Sequence, residues 1–160
     1  MEFTAIYSVR PRRNMMTPQR CATWMGDVAH RQPLFLDRHL AHIFLPGAHN
    51  AATGGFTGRL ARRVARNQRH RVGVLLGLGC RVLDVRPFLH ASGSLTCHHG
   101  GLPTTHYPLE QLFREICLFL SAPNSATECV VVRLSHFSGS GRSRRETSAA
   151  KQRVARECIR

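Results

Sequence analysis

The 160 residues include 22 arginines and one lysine against nine acids, a net charge of +14, and 42% of them are apolar. A chain of this size buries most of a single core, which excludes both a short disordered tail and a two-domain enzyme. The longest apolar run, Val72 to Leu78, is broken by Gly73 and Gly77 and falls far short of the ~18 residues of a membrane-spanning helix, so any membrane contact is expected to be peripheral.

All three parts of the chain are basic: residues 1–23 carry four Arg and one Glu, residues 24–137 twelve Arg and six acids, and residues 138–160 six Arg, one Lys and two Glu. Such a balance favours partners that carry phosphate, whether nucleic acid, anionic lipid or a phosphorylated substrate; a genome that prefers Arg to Lys produces the same total. Residues 1–23 lack hydrophobic periodicity and read as a disordered basic arm. That arm has no secretory apolar core, which leaves an Arg-rich, acid-poor transit peptide as the targeting alternative. The six cysteines, at 21, 80, 97, 117, 129 and 158, show no two-residue spacing, which argues against a zinc ribbon. Cys80, Cys117 and Cys129 sit in apolar runs and are expected to be small buried hydrophobes in a reducing, intracellular setting.

Order is expected from Trp24 onward. Ile43, Phe44 and Leu45 form a β-prone run that stops at Pro46-Gly47, which places His49 and Asn50 just past a strand end. Leu60, Ala61, Val64 and Ala65 share one helical stripe, with Arg59, Arg62, Arg63, Arg66 and Arg69 around the rest, as in an amphipathic helix with a basic face. Val82 to Arg86 is a strand closed by Pro87, and Leu95 to His98 is another, closed by Gly100-Gly101. Leu109, Leu112, Phe113, Ile116, Cys117 and Leu120 recur at helical spacing between Pro108 and Pro123. Cys129 to Leu134 then reads as a buried strand, and from Ser138 the basic, polar remainder reads as a disordered or weakly helical tail. This order predicts a mostly parallel α/β unit.

Three polar clusters follow three of those strands: His49-Asn50, Asp84 with Arg86, and His98-His99. Strand ends of a parallel α/β fold converge on one face, so the clusters can meet. Two imidazoles supply a general base and a general acid, and a guanidinium stabilises charge on a phosphoryl group, which is the equipment of phosphodiester cleavage. Other readings of the same residues are a helix cap for His49-Asn50 and a structural ion pair for Asp84 with Arg86. His98 reads as a packed neighbour, and His30, His39, His42, His70, His90, His106 and His136 receive no role.

The runs LPGAHNAAT at 45–53, GLGCRVLDVRPF at 77–88, LTCHHG at 95–100 and ECVVVRLSHF at 128–137, in this order, resemble the X region of phosphatidylinositol-specific phospholipases C. The resemblance spans about Trp24 to Phe137. It implies a distorted TIM barrel in which His49 and His99 are the catalytic pair, His99 being preferred to His98 because it directly precedes Gly100. It implies cleavage of an inositol phospholipid to diacylglycerol and a cyclic inositol phosphate. Calcium-dependent members carry an acid where this chain has Arg86, and metal-free members carry Arg, so the resemblance implies no cofactor, with calcium the alternative. Asn50 departs from that reading, since metal-free bacterial members have Asp there; Asp84 fits either form.

A TIM barrel takes ~250 residues and eight strands, whereas four strand candidates precede Ser138. The expectation is therefore a partial TIM-like barrel of about four βα units (residues 24–137) between basic disordered termini (residues 1–23 and 138–160). Such a half exposes strand edges and apolar barrel lining, lacks the acid that the family's second half supplies to orient the first His, and is at best weakly active. The competing classes are a catalytically dead module that binds anionic membrane through Arg59, Arg62, Arg63, Arg66, Arg69 and Arg71, and a nucleic-acid binder acting through the basic tails, for which no stacking pattern is present.

Overall fold

The computed structural model describes residues 21–56, 59–99, 107–139 and 149. In chain order they form α1 (Trp24–Arg31), β1 (Gly47–Ala48), a 3-10 turn (Ala51–Gly55), α2 (Arg59–Val64), α3 (Val72–Gly77), β2 (Val82–Val85), β3 (Pro87–Leu89), β4 (Leu95–Cys97), α4 (Leu109–Leu120), β5 (Val131–Leu134) and β6 (Ser138–Gly139). Among the described residues no helix is long and apolar enough to cross a membrane.

Strands β1, β2 and β5 form one parallel sheet in that order, with Gly47 against Val82 and Asp84 against Arg133. Alternation along β2 sends Leu83 and Val85, both fully buried, to one face and Val82 and Asp84 to the other. Leu83 and Val85 meet Val72, Leu75 and Leu76 of α3 and Leu109, Leu112 and Ile116 of α4 in a single core. Burial of each such side chain is worth ~1.5–3 kcal/mol. The spacing of Leu109, Leu112 and Ile116 creates the inward stripe of α4, and Pro108 stands at its N-cap with its fixed φ. Helices α3 and α4 are also tied directly, the Gly73 N–H donating to Glu115 Oε2 at 2.8 Å.

Several expectations from the sequence are corrected. The first strand is Gly47–Ala48, not Ile43 to Leu45: Phe44 is 93% exposed, and pairing begins at the Pro46 carbonyl, which accepts from the N–H groups of Arg81 and Val82. Proline lacks a donor but keeps its acceptor, so the supposed stop is where the ladder starts. Pro87 likewise opens a strand, consistent with the tolerance for Pro at a strand's first residue. Strand β4 returns antiparallel to β3, and β6 pairs parallel to β3 on its other edge, so β3, β4 and β6 form a second sheet instead of a further parallel unit.

Ser138 and Gly139 therefore belong to a sheet and not to the tail; the rest of the tail, except Ala149, and residues 1–20 of the arm lie outside the described residues, while Cys21 and Ala22 are already helical. Helix α2 is short and its Val64 is 66% exposed, whereas Ala65 is buried. Helix α3, whose two glycines masked it in the sequence, was not expected at all. Cys117 is exposed, and Cys80 and Cys129 are half-buried; among the described residues the fully buried cysteine is Cys97, whose thiol pKa burial pushes up to about 12. One residue's shift around α4 accounts for Cys117, which follows buried Ile116 onto the outer face.

At the N-terminal end of the sheet, Arg81 is wholly buried and contacts three segments at once. Its guanidinium pairs with Glu128 through Nε and Nη2 (2.8 and 2.5 Å) and donates to the carbonyls of Leu76, Cys80 and Ala22. Glu128 in turn accepts from the Gly26 N–H at 3.0 Å, and Arg81 lies over the Phe119 ring at 4.7 Å. A buried charge is tolerable only when every donor is used, and here the network fastens α1 to the body of the fold.

Candidate active site

The opposite, C-terminal end of the sheet joins two of the residues marked in the sequence, His49 and Asp84, to a third, Ser135. His49 follows β1, Asp84 stands near the end of β2, and Ser135 follows β5, so parallel pairing alone brings the three together. His49 Nδ1 lies 2.9 Å from Asp84 Oδ2, with the His side chain 64% exposed and the Asp 13%. A carboxylate only accepts, so Nδ1 carries the proton of the neutral ring and Nε2 keeps its lone pair. Ser135 Oγ donates to the other Asp84 oxygen at 2.7 Å. Burial alone would raise the Asp84 pKa, but the Ser135 hydroxyl, the Asn50 backbone N–H, and the charges of His49 and Arg133 outweigh it and hold the carboxyl below its ordinary value.

The sequence reading placed the acid that orients His49 in a second half of the barrel. In this chain Asp84, on β2, lies within hydrogen-bond reach of the His49 ring. The proposed ion pair of Asp84 with Arg86 is not formed among the described residues, since Asp84 is taken by His49 and Ser135.

Asn50 is buried in the left-handed region (φ 49°, ψ 49°), and its side chain does not cap the following turn. Asn is one of the few residues that adopt this conformation at modest cost. Its carbonyl accepts from Thr53, through both N–H (3.0 Å) and Oγ1 (2.8 Å), while neither side-chain polar atom has a partner among the described residues.

Arg86 lies where the chain leaves β2 for β3, and because β4 returns antiparallel, the His98 N–H reaches the Arg86 carbonyl at 2.8 Å. A hairpin return, not a parallel crossover, thus delivers His99 to the strand ends. Arg86 is half-buried, with its Nε buried and unpartnered among the described residues. His98 is 7% exposed and edge-on to Phe88, and its Nε2 lies 2.9 Å from both the His136 carbonyl and Ser138 Oγ. Desolvation lowers its pKa. These are the surroundings of a packed residue.

His99 Nδ1 lies 2.9 Å from the Ala65 carbonyl. A carbonyl cannot donate, so here too Nδ1 bears the proton and Nε2 is left basic. Among the described residues nothing bonds Nε2 of either His49 or His99. His49 and His99 are linked through one segment, residues 65–68: Ala65 holds the His99 ring, and Gln68 Nε2 donates to the His49 carbonyl at 2.9 Å.

Sequence reasoning missed Ser135, Arg133, Thr53 and Gln68. Ser135 was within reach, since it follows β5 as His49 follows β1, and Arg133 is in register with Asp84 on a neighbouring strand. The side chains of Thr53 and Gln68 bond to backbone groups, which leave no residue pattern.

A parallel α/β sheet whose strand ends present an Asp-held histidine and an arginine, with a second histidine brought by the adjoining antiparallel hairpin, is the class of fold and site defined here. Solved structures with the same fold include phosphatidylinositol-specific phospholipase C from Staphylococcus aureus, matched at 19% identity with a TM-score of 0.66 over 84% of this chain and 43% of that one. A second structure of that enzyme matches at 18% identity and a TM-score of 0.70 over 89% and 45%, and a pentafluoro-Phe form at 20% and 0.65 over 84% and 43%. The likeness is one of fold, and the chain spans less than half the length of the enzymes it matches. No family model and no curated protein sequence matches the chain.

Proposed function

We propose that residues 24–137 carry the first half of a phosphatidylinositol-specific phospholipase C-type barrel and its catalytic histidines. The matched enzymes are TIM-barrel proteins, and the observation that carries the reading is the pair of histidines at the strand ends, each with Nδ1 engaged and Nε2 not. In this reading His49 Nε2 takes the proton of the inositol 2-hydroxyl and that oxygen attacks the adjacent phosphorus. His99, protonated on both nitrogens with Nδ1–H on the Ala65 carbonyl, gives its Nε2 proton to the departing diacylglycerol oxygen, leaving a cyclic inositol phosphate. Nucleophile and phosphorus belong to one molecule, which favours internal attack over water. Asp84 stabilises the His49 imidazolium as it forms, Asn50 shapes the turn that carries His49, and the fixed charge of Arg86 stabilises the phosphoryl oxygens without a metal ion.

The partner is an inositol phospholipid at an anionic membrane surface, reached peripherally. Arg59, Arg63, Arg66, Arg69 and Arg71 are exposed on the stretch that includes Ala65 and Gln68, so the same stretch that touches both histidines offers cations to headgroups. The localisation proposed is intracellular, cytoplasmic or peripheral to a membrane. The test is cleavage of phosphatidylinositol vesicles followed by phosphorus NMR. Formation of the cyclic phosphate, abolished by His49→Ala or His99→Ala and unaffected by excess chelator, is expected. Lipid binding with no cleavage by any version of the chain would reduce the protein to a binding module. Loss in chelator restored by calcium would assign Asn50 and Asp84 to a metal instead.

A further inference from the structure

The stretch between Ala65 and Arg71 is fastened by bonds that the catalytic reading does not use. Thr53, 1% exposed in the turn after β1, accepts at Oγ1 from the N–H groups of both Asn67 and Gln68, each at 3.0 Å, while its own hydroxyl donates to the Asn50 carbonyl. One hydroxyl thus closes the turn behind His49 and catches the opposite stretch. Gly54 confirms how close the two run: a Cβ at that position would lie 1.7 Å from the His70 carbonyl oxygen, so only glycine fits. Gln68 adds the bond to the His49 carbonyl, and Ala65 receives His99.

We propose that Thr53 and Gln68 are positioning residues, which hold residues 65–68 as a strap that sets the tautomer of His99 and the main chain of His49. This rests on the catalytic reading above for its effect on rate, but not for its effect on the rings. The Ala65 carbonyl fixes the proton of neutral His99 on Nδ1 only while the carbonyl stays within hydrogen-bond reach. The N–H groups of Asn67 and Gln68 bonded to Thr53 keep it there. Without Oγ1 those two donors lose their acceptor, the strap lifts, and the His99 ring is free to place its proton on either nitrogen. His99 then loses the anchor that orients its ring, and with it the aim of the Nε2 proton that its protonated form delivers. A polypeptide carbonyl in this way does for His99 what the Asp84 carboxylate does for His49.

The experiment compares Thr53→Val, which keeps shape and removes the hydroxyl, with Thr53→Ser, which restores it. Nitrogen-15 NMR of the histidine rings reads the tautomer without any need for turnover, and vesicle cleavage reads kcat and KM. Thr53→Val is expected to shift His99 from the Nδ1–H form to a mixture and to lower kcat about tenfold to a hundredfold with KM little changed, in line with the cost of misplacing a catalytic group by ~1 Å. Thr53→Ser should recover most of both. Should Thr53→Val fail to fold, Gln68→Leu decides from the exposed end of the strap, by displaced His49 ring resonances and at least a threefold lower kcat. A Thr53→Val protein, or in its place Gln68→Leu, with wild-type ring resonances and kcat would overturn the proposal. A wild-type chain that never cleaves phosphatidylinositol would sink the catalytic reading alone, because the tautomer measurement would still decide the strap.

Discussion

Replacing Asp84 by Asn separates orientation of His49, the base in the proposed reading, from stability of the fold. The carboxylate receives Ser135 at 2.7 Å, His49 at 2.9 Å and the Asn50 backbone N–H. An amide oxygen can still accept from Ser135 and the backbone, so most of the local structure survives. The amide nitrogen, however, would face His49 Nδ1 with a donor, and neutral His49 could answer only by moving its proton to Nε2, where it must take one up. The wrong tautomer and the lost imidazolium partner should lower kcat/KM at least a hundredfold, about 2.7 kcal/mol at 1.36 kcal/mol per decade. Stability should fall less. His49 is 64% exposed, so its pairing is screened, and the net loss is on the order of 1 kcal/mol, a Tm change of roughly 2–4 °C.

The pH dependence has a defined sign. Asp84 is held below its ordinary pKa, so its contribution is complete above the unfolded value near 3.9 and disappears as pH falls through the folded one. Wild type and Asp84→Asn should therefore differ in Tm at neutral pH and converge at strongly acid pH. Vesicle cleavage and thermal melts on the same preparations check both parts. A variant with kcat/KM within threefold of wild type but a lower Tm would refute the assignment of Asp84 as the orienting acid.

Glu128→Gln should cost about 3–5 kcal/mol, because Arg81 would keep its carbonyl partners but lose the carboxylate paired with a fully buried charge; a urea midpoint corresponding to a loss under 1 kcal/mol would contradict this. Purified residues 1–160 should cleave phosphatidylinositol at least ten times more slowly than the same residues joined to the C-terminal half of a related barrel, since donors for the far wall of the pocket must be held rigidly to act. Equal turnover by the two proteins, still dependent on His49 and His99, would show that half a barrel suffices.

What was legible in the sequence follows from which physical signals are local. The inward stripe of α4 repeats at the period of its own helix and stands where the periodicity placed it, whereas β5 begins only at Val131 and is half-buried to exposed, not the buried strand that Cys129 to Leu134 suggested. Strand β1 has two residues and owes its existence to β2, so no periodicity within it could announce it. Pro46 and Pro87 misled because a proline was read as a stop, when each merely lacks a donor on one side of the ladder. In the candidate site, His49, Asp84, Arg86 and the pair His98-His99 could be listed from residue type and strand-end position, and only the family resemblance preferred His99 to His98. Their partners were legible only where a side chain does the work. Nothing in an alanine at position 65 foretells that its carbonyl holds an imidazole.

The bond from the Gly26 N–H to Glu128 joins residues 102 positions apart. A ribosome adds ~5–20 residues per second, so α1 leaves it roughly 5–20 s before its anchor has been translated. Trp24 can already meet Phe35 and the Gly79 carbonyl in that interval, whereas buried Met25 still lacks Cys129. The Arg81–Glu128 network is therefore completed late in synthesis, and α1 is fastened fully only once residue 128 has been made.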